Sequence, residues 1–252
     1  MILWVALRKE LMEQWRSYRL LITAAVLVAF GLLSPLTAKY TPELMKLLPN
    51  GEEIARLIPQ PTAADAVAQY LKNISQFSVV LALLVTMGAV AYEKERGTAA
   101  MILVKPLPRW AFLAAKFTAL GITFAASLVV AGAGCYYYTL VLFEPLGIGS
   151  WVILNVLLLV FVLVYVALTL MCSVLAKSQA GAGGLAFALL IVLALPGALP
   201  KVGEYLPGQL INWGAGLMAG SGAPAWPALG VSFGLMVGAL ILAGLIFDRQ
   251  EL

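Results

Sequence analysis

Residues 91–117 read AYEKERGTAAMILVKPLPRWAFLAAKF, a charged stretch set between two long apolar runs. It gathers Glu93, Lys94, Glu95, Arg96, Lys105, Arg109 and Lys116 into one short interval. Around it the chain of 252 residues is 62% hydrophobic and 11% charged, with a mean hydropathy of +0.97. A chain this apolar has no way to hide its surface in water, so a bilayer is its solvent and spans of about 20 apolar residues are the expected unit. The quoted stretch is then a connection between two spans. It has its own punctuation: Gly97 stops the arriving helix, Thr98 caps a new one, and 99–104, with Met101 inside it, forms one or two apolar turns. Lys105 suits a helix C-terminus, Pro106 ends the segment and Pro108 suits the first turn of the next helix. The spacing predicts a short separate helix lying across one membrane face.

Working outward, residues 3–19 repeat Leu3, Trp4, Leu7, Leu11, Trp15 and Tyr18 at three- and four-residue steps, with Arg8, Lys9, Glu10, Glu13, Gln14 and Arg16 between them. That is an amphipathic helix for the membrane interface, apolar side in lipid and charged side in water. A first span covers 20–36, closed by Pro35. An outer polar segment, 38–75, contains two short amphipathic helices, one signalled by Thr41, Pro42 and Glu43 and the other, running into the next span, by Thr62 and Asp65. Further spans fall at 76–92, 111–143, 151–175, 181–199 and 227–247. Residues 200–226, interrupted by Pro207 and Pro224, suit a re-entrant or interfacial hairpin on the outer side. The fold class is thus an all-α integral membrane protein with six transmembrane helices in one domain, 1–252, and a connecting loop at 93–110.

Charge orients it. On the side of both termini lie Arg8, Lys9, Arg16, Arg19, Lys94, Arg96, Lys105, Arg109, Lys116, Lys177 and Arg249, against Glu10, Glu13, Glu93, Glu95, Asp248 and Glu251. The other side holds Lys39, Lys46, Arg56, Lys72 and Lys201 against Glu43, Glu52, Glu53, Asp65, Glu144 and Glu204. Basic residues gather on the cytoplasmic face of membrane proteins, so both termini and the charged loop are cytoplasmic. The net charge of +4 reflects this topology and does not call for nucleic acid.

The chemistry that is missing narrows the function. There is no phosphate-binding loop, no H-E-x-x-H, no nucleophile elbow and no histidine; Cys135 and Cys172 sit singly in apolar runs. No catalytic or metal site is expected, and this chain binds no cofactor of its own. The spans as drawn hold no acidic residue, whereas an ion-driven carrier needs an ionisable group near mid-membrane. Energy for transport should therefore enter from a partner through the loop.

Three segments carry a resemblance: ALRKELMEQWRSYR at 6–19, YEKERGTAAMILVKPLPRWAFLAAKF at 92–117 and IFDRQEL at 246–252. In span order across the whole chain they resemble the permease subunits of type-2 ATP-binding-cassette transporters of bacteria and archaea, nearest the branch linked to multicopper enzyme maturation. The resemblance implies an elbow helix at 3–19, a coupling helix in 93–110 and an outer re-entrant hairpin at 200–226. It implies that Glu93, Glu95, Arg96, Gly97, Thr98, Met101, Pro106 and Arg109, with Lys177 as a minor contact, meet a separate ATPase that binds ATP and magnesium. It also implies a second permease subunit, as homodimer or heterodimer, in the cytoplasmic membrane. The expected function is export of an amphipathic or lipid-like substrate. A non-transporting scaffold or regulator of an envelope complex is the alternative, and no residue marks the substrate path.

Overall fold

The computed structural model describes residues 2–46, 60–97, 108–197 and 200–250. Ten helices run through them: α1 (Ile2–Arg16), α2 (Arg19–Lys46), α3 (Ala63–Thr86), α4 (Gly88–Glu95), α5 (Arg109–Leu142), α6 (Ile148–Leu175), α7 (Gln179–Gly197), α8 (Pro200–Gly203), α9 (Gln209–Met218) and α10 (Trp226–Asp248). No strand occurs among the described residues. Five stretches are long and apolar enough to cross a membrane: Arg19–Lys46, Ala63–Glu95, Arg109–Leu142, Ile148–Leu175 and Trp226–Asp248. The fifth expected span corresponds to α7, a shorter apolar helix. Its 19 residues rise about 28 Å, close to the hydrocarbon thickness of a bilayer.

Two expected boundaries move. Pro35 was the expected end of the first span, yet α2 runs through both Pro35 and Pro42 to Lys46, so the helix reaches well into the segment read as polar connection. Proline removes one backbone donor, and in a membrane helix local hydroxyls offset the loss. Here Ser34 donates to the Phe30 carbonyl at 2.6 Å and Thr37 to the Leu33 carbonyl at 2.9 Å, around the carbonyl that Pro35 leaves without its usual partner. At the other end of that connection α3 starts at Ala63, so the helix expected after Thr62 and the span expected from residue 76 are one continuous element. The Asp65 carboxylate accepts from both the Thr62 N–H and its hydroxyl at 2.8 Å, the capping box that the spacing of these residues implies.

The centre of the bundle is α6. It packs against α3, α5, α7, α9 and α10, while α2 lies in the groove between α3 and α5 and α1 crosses α5. Tyr70, Ile74, Phe124, Leu154, Leu158 and Leu170 are fully buried along this seam. Phe30 and Phe77 stack with centroids 3.7 Å apart to join α2 to α3. The exposed apolar side chains, such as Val129, Val141, Leu195 and Ile241, belong to the faces that a bilayer would wet.

Between helices in lipid there is little hydrophobic drive, so close approach and internal hydrogen bonds hold the seam. Gly31 of α2 lies so near α5 that an added Cβ would come 2.6 Å from the Ala131 carbonyl oxygen. At the same depth the Tyr70 hydroxyl donates to Asn155 Oδ1 at 2.6 Å, and Asn73 donates to the Ser34 hydroxyl at 3.0 Å. These bonds tie α3 to α6 and α3 to α2. Replacing Gly31 with Val should cost about 1–3 kcal/mol by overpacking and lower the thermal unfolding midpoint in detergent. Ala at the exposed Val129 should leave that midpoint unchanged.

Candidate functional site

Both termini of the described chain, the end of α4, the start of α5 and the turn between α6 and α7 meet at one end of the bundle. This charged end is organised by Lys116, two turns into α5 and 2% exposed. Its ammonium lies 2.9 Å from Glu93 of α4 and 3.1 Å from Glu10 of α1. Both carboxylates are themselves buried. Lys9 reaches over the top at 3.0 Å from Glu10, 3.3 Å from Glu13 and 3.4 Å from Glu93. Burial opposes the charge on Lys9, but Glu10, Glu93 and Glu13 outweigh it and hold its pKa above the ordinary lysine range. One turn further along, Gln14 accepts a hydrogen bond from the Thr123 hydroxyl.

The N-terminal helix departs from the sequence reading at two positions. Arg8 and Arg16 are exposed, as are Trp4, Trp15 and Tyr18, but Glu10 and Gln14, assigned to the wet face, point into the protein. The reason is the buried cation on α5. An ammonium removed from water needs carboxylates within reach, and α1 supplies one. Nor are the spans free of ionisable groups, because Lys116 lies within α5 and Glu93 within the apolar stretch Ala63–Glu95.

A second set of bonds closes the same end. Lys94 donates to the Val174 carbonyl at 2.7 Å, the Ala176 carbonyl at 3.0 Å and Gln250 Oε1 at 2.9 Å. Arg109 donates to the carbonyls of Phe247 and, at 3.0 Å, Gln250. Glu95 accepts from the backbone N–H of Gln179, at the start of α7, at 3.1 Å. Where α3 gives way to α4 at Met87, the buried Ser173 hydroxyl accepts from the N–H groups of Val90 and Ala91 at 3.0 and 2.9 Å and donates to the Met87 carbonyl at 2.8 Å. The break between the two helices is thereby satisfied from α6.

The expected loop residues divide accordingly. Glu93, Glu95 and Arg109 are tied into the bundle by the bonds just described. Arg96 is exposed, its guanidinium 4.4 Å over the Tyr92 ring, and Gly97 ends α4 at φ +69°. Lys177 is exposed in the turn between α6 and α7. Thr98, Met101 and Pro106, and with them the short helix expected at 99–104, lie outside the described residues. Beside Arg96 opens a recess of about 470 Å³ lined by Met87, Tyr92, Glu95, Arg96, Gln179 and Ala180. The sequence reading missed Glu10, Lys94, Lys116, Ser173 and Gln250 as members of this site. The one available signal was a lysine followed at once by a long apolar run, which is costly unless partnered.

Comparison with known families matches residues 4–252 to the ABC-2 family transporter protein. The chain belongs to the ABC-2 transporter family. This ABC-2 protein is 24% identical over 213 residues to the transmembrane protein YxlG of Bacillus subtilis (strain 168), covering 83% of this chain and 82% of that one. It is 26% identical over 199 residues to a protein of the same organism named as the transport permease YvfS, covering 73% and 78%. Membership makes it a multi-pass membrane protein of a family of transport permeases, which generally work with a separate ABC ATPase subunit.

Because Lys116 neutralises two buried carboxylates, replacing it alone with Met should strand them and cost about 3–5 kcal/mol. Combining Lys116→Met with Glu10→Gln and Glu93→Gln should recover most of the loss. The two unfolding midpoints, measured in the same detergent, check this: the triple variant should melt above the single one.

Proposed function

We propose that this ABC-2 protein is the membrane-spanning permease of an ATP-driven exporter, moved by a separate ATPase that docks at the charged end. On this reading α7 is the sixth span, α1 is the elbow helix, α8 and α9 form an outer re-entrant hairpin, and the charged end with both termini faces the cytoplasm. A second permease subunit completes the translocation path. The substrate class that suits apolar, weakly polar helices is amphipathic or lipid-like.

One observation carries the proposal. The helix entering the loop at 98–107 and the helix leaving it are each bonded to the rest of the charged end: Glu93 and Lys116 to α1, Lys94 to the end of α6, Glu95 to the start of α7, and Arg109 to the C-terminal turn. A push on that loop is delivered to several helices at once, because each bond is made in a partly or fully desolvated site and yields only with its neighbours. The chain itself contains no phosphate-binding loop, so the push has to come from a protein that does.

Within the expected contact set, Arg96 and Lys177 are the exposed cations, and Glu93 is a positioning residue held inside the bundle. Arg96→Glu combined with Lys177→Glu should weaken association with the cognate ATPase by about tenfold through lost charge complementarity and lower ATP-driven flux in proteoliposomes. The unfolding midpoint of the permease should not move. Wild-type flux and association in that variant would remove the docking role. ATP hydrolysis by the complex with no movement of any lipid or amphiphile would favour the scaffold reading.

A further inference from the structure

The end of the bundle opposite the charged face holds a half-open cavity of about 440 Å³, between α6, α7 and the turn that joins α8 to α9. Its wall is divided by polarity. Phe161 and Tyr165 of α6 and Leu193 of α7 form an apolar floor; Glu204, Gln209 and Asn212 form a polar rim. The two rings meet edge to face with centroids 5.0 Å apart, and the Tyr165 hydroxyl makes no hydrogen bond within the described residues. Asn212 donates to Gln209 Oε1 at 2.8 Å, which fixes the two amides relative to each other and leaves Asn212 Oδ1 as an acceptor on the rim. Glu204 is exposed and is the one charged side chain among the described lining residues.

We infer that this cavity binds a cationic amphiphile, an ammonium head group carried on an apolar chain, with the head at Glu204 and the chain against Phe161, Tyr165 and Leu193. The groups at the rim share one electrostatic preference. A carboxylate and an amide oxygen both attract positive charge. An anionic head group would meet the Glu204 carboxylate with no cation among the described lining residues to balance it. The volume falls within the roughly 300–1,000 Å³ of small-molecule sites, and an apolar floor with a few polar groups at one end is their usual composition. None of the lining residues belongs to the charged end, so binding here goes beyond the docking of a motor.

The test is equilibrium binding of radiolabelled dodecyltrimethylammonium to the full-length protein in nanodiscs of digalactosyldiacylglycerol, a bilayer lipid without an ammonium group, with empty discs subtracted. Saturable binding is expected, whereas dodecyl sulfate should show none above the empty discs. Glu204→Gln should weaken dodecyltrimethylammonium by about threefold, on the scale of an exposed ion pair, and Glu204→Asp should restore most of it. Tyr165→Asn, which makes the floor polar, should weaken it by about fivefold through lost apolar contact with the chain. Glu204 is exposed, so its variants should keep the wild-type unfolding midpoint, which separates loss of binding from loss of fold. Discs containing phosphatidylethanolamine distinguish a lipid ammonium from a free one: unchanged affinity supports the free cation, and displacement overturns the need for net positive charge. Equal affinity for dodecyl sulfate, or full affinity in Glu204→Gln, overturns the site.

Discussion

A lysine held almost out of reach of solvent at the end of a membrane bundle imposes a strong constraint, because its charge has to be answered inside the protein. Lys116 is answered twice, by Glu10 and Glu93, and those residues come from an N-terminal helix and from the helix that precedes the charged loop. The position of α1 follows from this. An interfacial helix with free choice would turn its polar residues to water, but here Glu10 and Gln14 are drawn against α5 while Arg8 and Arg16 stay exposed. Three helices are thereby fixed to one another at a point where the next residues lead into the charged loop.

The same requirement, that every polar group in the bilayer find an internal partner, accounts for the irregular parts of the bundle. Pro35 and Pro42 interrupt the hydrogen-bond ladder of α2 without ending the helix, because serine and threonine hydroxyls serve the carbonyls around them. The break at Met87 is served by Ser173 from the neighbouring helix. Each irregularity is thus tied to a specific side chain. The break at Met87 is of particular interest, since α4 is the short piece between it and the loop and carries Glu93, Lys94 and Glu95, each bonded to a different element.

The two ends of the bundle differ in chemistry. At the charged end cations bond to carboxylates and to helix C-terminal carbonyls, as with Lys94 and Arg109, and the recess beside Arg96 is lined by both signs of charge. At the opposite end the cavity below α9 is bordered by one carboxylate, two amides and an aromatic pair. Protein docking and small-molecule capture ask for these different surfaces: complementary charge in the first case, and an apolar floor with a few placed polar groups in the second.

Much was legible in the residues alone. Hydropathy fixes a membrane-spanning helical protein, because no soluble fold can bury so apolar a chain. Local chemistry places Thr62 and Asp65 at the start of α3 and Gly97 at the end of α4, since caps and left-handed turns depend on residues a few positions apart. The length of α2 was not legible, because whether a proline ends a helix depends on what its freed carbonyl meets in space. Neither was the ion cluster, whose members Glu10 and Lys116 lie 106 positions apart. Helical periodicity tells which residues share a face of α1 but not whether that face meets water, lipid or a buried cation. Only the packing of α1 on α5 decides that, because a charge in a medium of low polarity is stabilised by whatever opposite charge the tertiary structure brings within about 3 Å.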